Sequence, residues 1–189
     1  VTSPYENAID LEGLDPHLRA YFGEIPAGSI GIGRGVFDVV GTPKRWLWPV
    51  LWVLGRQGVV FAAWARDVPF TVVNRPDEGS LHGYRTFHLS RGDRTMVDRI
   101  DNSLVDHLGT RGQYRAALVG AVVDGGLRLR STRLWFHGIR IPGRVEVTER
   151  RVDELQHVAV VIAAPIVGRV YEYSGYFSYQ IEEDHVPAP

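Results

Sequence analysis

The sequence contains no cysteine, a single lysine and a single methionine, and these scarcities close off whole chemistries before any motif is read. Without cysteine there is no disulfide framework, no thiolate nucleophile, no zinc–thiolate site and no iron–sulfur cluster. Schiff-base chemistry is confined to Lys44, because every other basic side chain is an arginine,. An excess of charge of either sign is also missing: the formal net charge of -1 supplies no field to gather nucleic acid. No apolar run approaches the ~20 residues of a membrane-spanning helix, the longest, Trp46 to Leu54, being interrupted by Pro49. The opening residues, Val1 to Glu6, lack a basic stretch followed by an apolar one, so no export is expected and a cytoplasmic location is. No period of 20–50 residues repeats, which disfavours a solenoid or propeller.

What is present suits one domain with a core of its own, since 189 residues bury enough apolar surface without metals or disulfides. The expected organisation is helices and a glycine-rich strand over residues 1–58, an antiparallel meander over 59–183, and a tail at 184–189. Leu14 to Gly23 reads as a short helix: Asp15 caps it, Pro16 fits its first position and Gly23 ends it. Ile30 to Val40 reads as a strand whose glycines mark bending or close backbone approach. Gly31-Ile32-Gly33-Arg34-Gly35 lacks the strand-glycine-helix setting of a phosphate loop. From Lys44 to Leu54, Pro49 either opens a second helix or kinks a longer one.

Beyond Gly58 the chain turns to short runs of Val, Ile, Phe, Tyr and Thr separated by turn residues, such as Pro76-Asp77-Glu78-Gly79 and Asp124-Gly125-Gly126,. Strands are predicted at 70–74, 81–89, 94–100, 114–123, 127–136, 144–153, 156–163 and 167–180. The fold class is therefore mainly β: a strongly curved antiparallel meander, barrel-like, covered by one or two N-terminal helices. Such a sheet encloses an apolar cavity with a few orienting polar groups.

Candidate working residues are polar side chains on inward strand faces, since a charge turned inward needs a partner or a ligand. Arg85 shares strand parity with Phe87 and Leu89, and Glu149 shares it with Val145 and Val147. Either the two form a structural ion pair or they act on a ligand. Tyr173 is the third catalytic candidate, its phenol a donor to a carbonyl. Pocket-wall candidates are Phe37, Trp48, Trp52, Phe70, Phe87, His88, Met96, Trp135, His137, Tyr171 and Tyr176, core packing being the alternative for each aromatic. His88 and His137 sit beside aromatics in predicted strands and are candidate acid–base groups. The seven histidines show no metal-ligand spacing and no serine sits in a nucleophile elbow, so no metal and no cofactor are expected. Three tryptophans following Lys44 and Arg45 suit a buried helix, a lid over the cavity, or a contact with a membrane interface.

Several segments in order along the chain resemble the bacterial family known as domain of unknown function 4166. They are Leu14-Asp15-Pro16-His17-Leu18, Gly33-Arg34-Gly35-Val36-Phe37, Val68-Pro69-Phe70, Arg85-Thr86-Phe87, Val105-Asp106-His107-Leu108-Gly109, Asp124-Gly125-Gly126-Leu127 and Tyr173-Ser174-Gly175-Tyr176-Phe177. The resemblance implies no activity; members are often joined to saccharopine-dehydrogenase-like reductases, so a separate reductase is one candidate partner. The leading functional expectation is a protein that binds an apolar small molecule, lipid or polyketide-like compound in an internal cavity. The alternatives are a cofactor-free cyclase or isomerase in the same cavity, and an accessory domain for a reductase.

Overall fold

Turn chemistry and strand parity determine where the chain reverses, and the reversals build a closed barrel. The structure is a computed structural model in which residues 3–184 are described; of the expected tail only Asp184 falls among them, and His185 lies outside. The chain runs α1 (Pro4–Ala8), α2 (Pro16–Phe22), β1 (Ser29–Gly41), a 3-10 turn (Arg45–Leu47), α3 (Trp48–Gly55), β2 (Trp64–Ala65), β3 (Val68–Asp77), β4 (Ser80–Leu89) and β5 (Gly92–Asp101). It continues through β6 (Val105–Leu108), β7 (Tyr114–Val123), β8 (Gly126–Phe136), β9 (Ile139–Ile141), β10 (Arg144–Val152), β11 (Leu155–Ala164) and β12 (Gly168–Glu183). Helix α2 begins as its sequence dictates: the Asp15 carboxylate accepts from the His17 N–H at 2.8 Å, Pro16 occupies the first turn and Gly23 is the C-cap,.

Ten strands pair antiparallel in the circuit β10-β11-β12-β1-β3-β4-β5-β6-β7-β8. Pairing of β8 with β10, Leu127 opposite Glu149 and Leu129 opposite Val147, closes it. Closure leaves none of these ten strands as a free edge. Strand β1 explains its own composition, because Gly31 and Gly33 face inward: a Cβ on Gly31 would meet the Tyr179 phenol, and one on Gly33 would meet Val72 and Phe177. The glycines leave the room that the large side chains of β12 take up.

Alternation of strand direction sorts the connections into two ends. Helices α1 and α2 plug one end, the Asp15 N–H donating to the Gly125 carbonyl of the β7–β8 turn at 2.9 Å and Asn7 bonding Asn102 of the β5–β6 turn at 3.0 Å. Helix α3 and residues 58–63 cover the other, the Val97 N–H donating to the Gly58 carbonyl at 2.8 Å and the Thr110 N–H to that of Gln57 at 2.9 Å. Between the plugs, Phe37, Phe70, Phe87 and Tyr173 pack ring against ring with centroids 4.4–5.8 Å apart, and Phe61 of the covering segment reaches Phe87 at 5.3 Å.

Four elements were not expected from the sequence: α1, β2, β6 and β9. Each has five residues or fewer, too short for hydrophobic periodicity to register.

Candidate functional site

The inward faces of β4, β5, β6 and β10 each contribute one charged residue to the barrel interior. Arg85 lies between Gly83 and Phe87 on β4, with its side chain 16% exposed. Its guanidinium pairs with Asp98 on β5, the residue opposite Gly83; Gly83 leaves the room, since a Cβ there would press on both the guanidinium and the carboxylate. A second Arg85 nitrogen donates to the Tyr21 hydroxyl of α2 at 3.4 Å. Arg85 thus forms an ion pair, with Asp98 and not with the expected Glu149. Glu149 lies elsewhere on the same cavity, 5% exposed, and accepts a hydrogen bond from the Gln156 amide of β11.

Asp106, on β6, is the fourth member. Its placement depends on the β5–β6 turn, where Asp101 accepts from the N–H groups of Ser103 (2.9 Å) and Val105 (3.1 Å) and bonds the His107 ring at 3.0 Å. Burial works against the Asp101 carboxylate, but these bonds outweigh it and hold the group below its ordinary range,. Oδ1 of Asp106 is cut off from solvent and accepts no hydrogen bond from any described residue. The same holds for Oε1 of Gln156. Buried acceptors without partners are uncommon and call for a specific reason.

The cavity enclosed by these groups has a volume of about 100 Å³. Tyr5, Tyr21 and Tyr173 join the four charged residues in its wall, with Phe37, Phe70, Met96, Val147 and Val160 supplying hydrocarbon and Val59 and Val60 closing the α3 end. Burial pushes the Asp106 carboxyl up to about 7, against the pull of Arg85. Burial likewise pushes Glu149 up to about 7, opposed by the Gln156 hydrogen bond and by Arg85. Burial also raises the phenols of Tyr5, Tyr21 and Tyr173, each against the pull of Arg85, so all three remain protonated donors at neutral pH,. Burial opposes the charge on Arg85, but the surrounding phenols and Asp106 more than offset it, and the guanidinium stays charged. The interior therefore offers one fixed cation, three phenol donors and two carboxyls poised between their charged and neutral forms. That set can hold an oxygen-bearing head group and can move a proton at neutral pH.

The structure brings Arg85, Glu149 and Tyr173 together on this cavity, with Phe37, Phe70 and Met96 beside them. Phe87 and Tyr171 are buried behind the wall, in the aromatic cluster. Trp48 is half-buried in the cover, its indole N–H donating to the Thr42 carbonyl at 3.2 Å. Five candidates lie away from the cavity. Trp52 is 59% exposed with Arg56 stacked on it. Trp135 lies under Arg115. His88 sits on the outer face between Thr71 and Asp93. His137 occupies the exposed β8–β9 turn at φ +49°. Tyr176 packs on His157 at 4.7 Å. Outward strand parity, or the turn itself, accounts for each placement after Gly58.

Asp98 and Asp106 were not singled out from the sequence, although Asp98 carries the signal that Glu149 does: it alternates with Met96 and Ile100 as Glu149 does with Val147 and Val145. Asp106 has the same relation to Leu104 and Leu108, within a strand too short to be recognised.

Among the described residues no group of three or more metal-ligating side chains converges, and no helix is long and apolar enough to cross a membrane. No curated protein and no solved structure matches the chain. A family model does match residues 14–177, from α2 to the aromatic end of β12, and the chain belongs to the family it describes, a domain of unknown function (DUF4166).

Proposed function

We propose that the barrel binds a small organic molecule with an apolar body and a carbonyl or acidic oxygen, the oxygen lying toward Arg85 and the phenols of Tyr5, Tyr21 and Tyr173. One observation carries this reading: four ionisable side chains from four strands share one interior cavity, where hydrocarbon would give a more stable core. The orphan acceptor on Asp106, in the cavity wall, supports it, since a hydroxyl-bearing ligand or water would satisfy it,. The volume limits the ligand. Pockets for drug-sized compounds run to roughly 300–1,000 Å³, so about 100 Å³ takes a compound of few heavy atoms. A lipid or polyketide-like compound would require Val59 and Val60 to withdraw with the α3 cover.

A second reading, isomerisation or cyclisation without a cofactor, is favoured by the two carboxyls near 7. Asp106 or Glu149 in its ionised form would take a proton from carbon beside a carbonyl held by Arg85, and the resulting carboxylic acid would return the same proton at another carbon. The exchange balances without oxidant or reductant.

Native mass spectrometry of the protein from its own host, followed by solvent extraction and mass analysis, tests the binding reading. A stoichiometric compound is expected on the wild type and not on Arg85→Gln/Asp98→Asn, a double substitution that removes both charges of the ion pair together. A clean mass on the wild type with no uptake from host extract would overturn it. Once a ligand is known, its unchanged conversion by Glu149→Gln and Asp106→Asn would rule out the catalytic reading alone.

A further inference from the structure

The cover formed by α3 is apolar on two faces, and the barrel buries only one. Leu47, Leu51 and Leu54, at helical spacing, turn toward the core. Val50 and Val53, each one residue before Leu51 and Leu54, lie about 100° further round the helix and are 60% and 49% exposed, with Trp46 of the 3-10 turn at 65% and Trp52 at 59%. A helix apolar all round is normally buried on every side. Ile166, fully exposed at the tip of the β11–β12 turn, belongs to the same end: Lys44, just before the cover, donates to the carbonyls of Val167 at 2.6 Å and Arg169 at 2.9 Å.

Charge is distributed to match. The connections at this end carry Arg45, Arg56, Arg66, Arg91 and Arg111, all exposed, with Lys44 as a sixth cation and Asp67 as the one carboxylate. None of the five arginines forms an ion pair among the described residues. At the helix-plugged end the balance is reversed: Glu6, Asp10, Glu12, Asp124, Asp153 and Glu154 are among the acids, and Arg19 is the one cation of the described connecting segments. A net charge near zero thus conceals a molecule with a basic end and an acidic end.

We infer that the α3 end docks on the surface of an anionic lipid bilayer, with Trp46, Val50, Trp52, Val53 and Ile166 entering the headgroup boundary and the ring of arginines meeting lipid phosphates. Tryptophan and arginine are the side chains suited to that boundary, the one amphipathic and the other able to keep its charge in the headgroups while its stem lies along the apolar face. Apolar insertion and a cationic rim act together, as reversible membrane binding requires. The acidic opposite end, repelled by the same surface, sets the orientation. This inference stands whether or not the cavity binds a ligand.

Flotation with liposomes of phosphatidylcholine and phosphatidylglycerol, against phosphatidylcholine alone, is the test. The whole protein is expected to float with the anionic vesicles, to lose affinity as salt is added, and to weaken about tenfold or more in Arg45→Glu/Arg56→Glu. Trp46→Ser/Trp52→Ser is expected to abolish flotation with its circular dichroism and melting temperature unchanged, since both indoles are exposed. Absence of binding to either vesicle, or binding indifferent to both double substitutions, would overturn the inference. So would light scattering that shows a dimer split by Trp46→Ser/Trp52→Ser, which would assign the apolar face to a second copy.

Discussion

Two parts of the barrel wall follow opposite rules. Where β12, β1 and β3 meet, Tyr173, Phe37 and Phe70 present rings that pack on one another and on Phe87. The burial of such rings is the main favourable contribution to a β core. Around β4, β5, β6 and β10 the inward positions hold Arg85, Asp98, Asp106 and Glu149, charges whose removal from water opposes folding. The first part accounts for stability. The second reduces it, and what it offers in return is chemistry.

The largest effect comes from breaking the aromatic part. Phe87→Ala, at a fully buried ring, is expected to cost about 3–5 kcal/mol in urea denaturation; a loss under about 1 kcal/mol would mean that the rings are not what holds the barrel. Breaking the ion pair on one side comes next. Asp98→Ala leaves the Arg85 charge without its partner and is expected to cost about 3 kcal/mol, whereas Arg85→Met with Asp98→Leu should recover most of that loss.

The carboxyls sharpen the contrast, because neutralising one should stabilise the protein. Glu149 and Asp106 hold protons in the folded state up to about pH 7, while in the unfolded chain they release them near their ordinary values, roughly 4. Between those limits the folded state binds more protons, so stability falls as pH rises through the window and levels off above it. Glu149→Gln is therefore expected to raise stability at pH 8 by on the order of 2 kcal/mol and to change little near pH 5, as read from melting temperatures at the two pH values. A destabilised Glu149→Gln at pH 8 would reverse the assignment. The smallest effect belongs to the outer face: His88→Ala should alter stability by no more than about 0.5 kcal/mol and leave ligand uptake unchanged.

Much of the barrel was legible in the sequence because its strands are long and its turns chemically explicit. The strand predicted at 114–123 and β7 have the same bounds, and Asp15, Pro16 and Gly23 delimit α2 as read. Closure was not legible. It rests on β10 meeting β8 across a connection that contains β9, and pairing between strands that are not neighbours in the chain leaves no local signal. Within the site, parity pointed inward for Arg85, Glu149 and Tyr173, which share the cavity. Asp106 stayed hidden because four residues with two polar ones do not read as a strand, Tyr5 because the five residues of α1 are too few to register, and Tyr21 because a phenol on an apolar helix face reads as core packing.

Carbon-13 NMR titration of the aspartate and glutamate carboxyls tests most directly whether the polar part of the interior is held ready for proton chemistry. Two carboxyls are expected to titrate near pH 7, one disappearing in Asp106→Asn and the other in Glu149→Gln. If every carboxyl titrates below about 5, in the ordinary carboxylate range, the interior holds settled charges and the account of the site is contradicted.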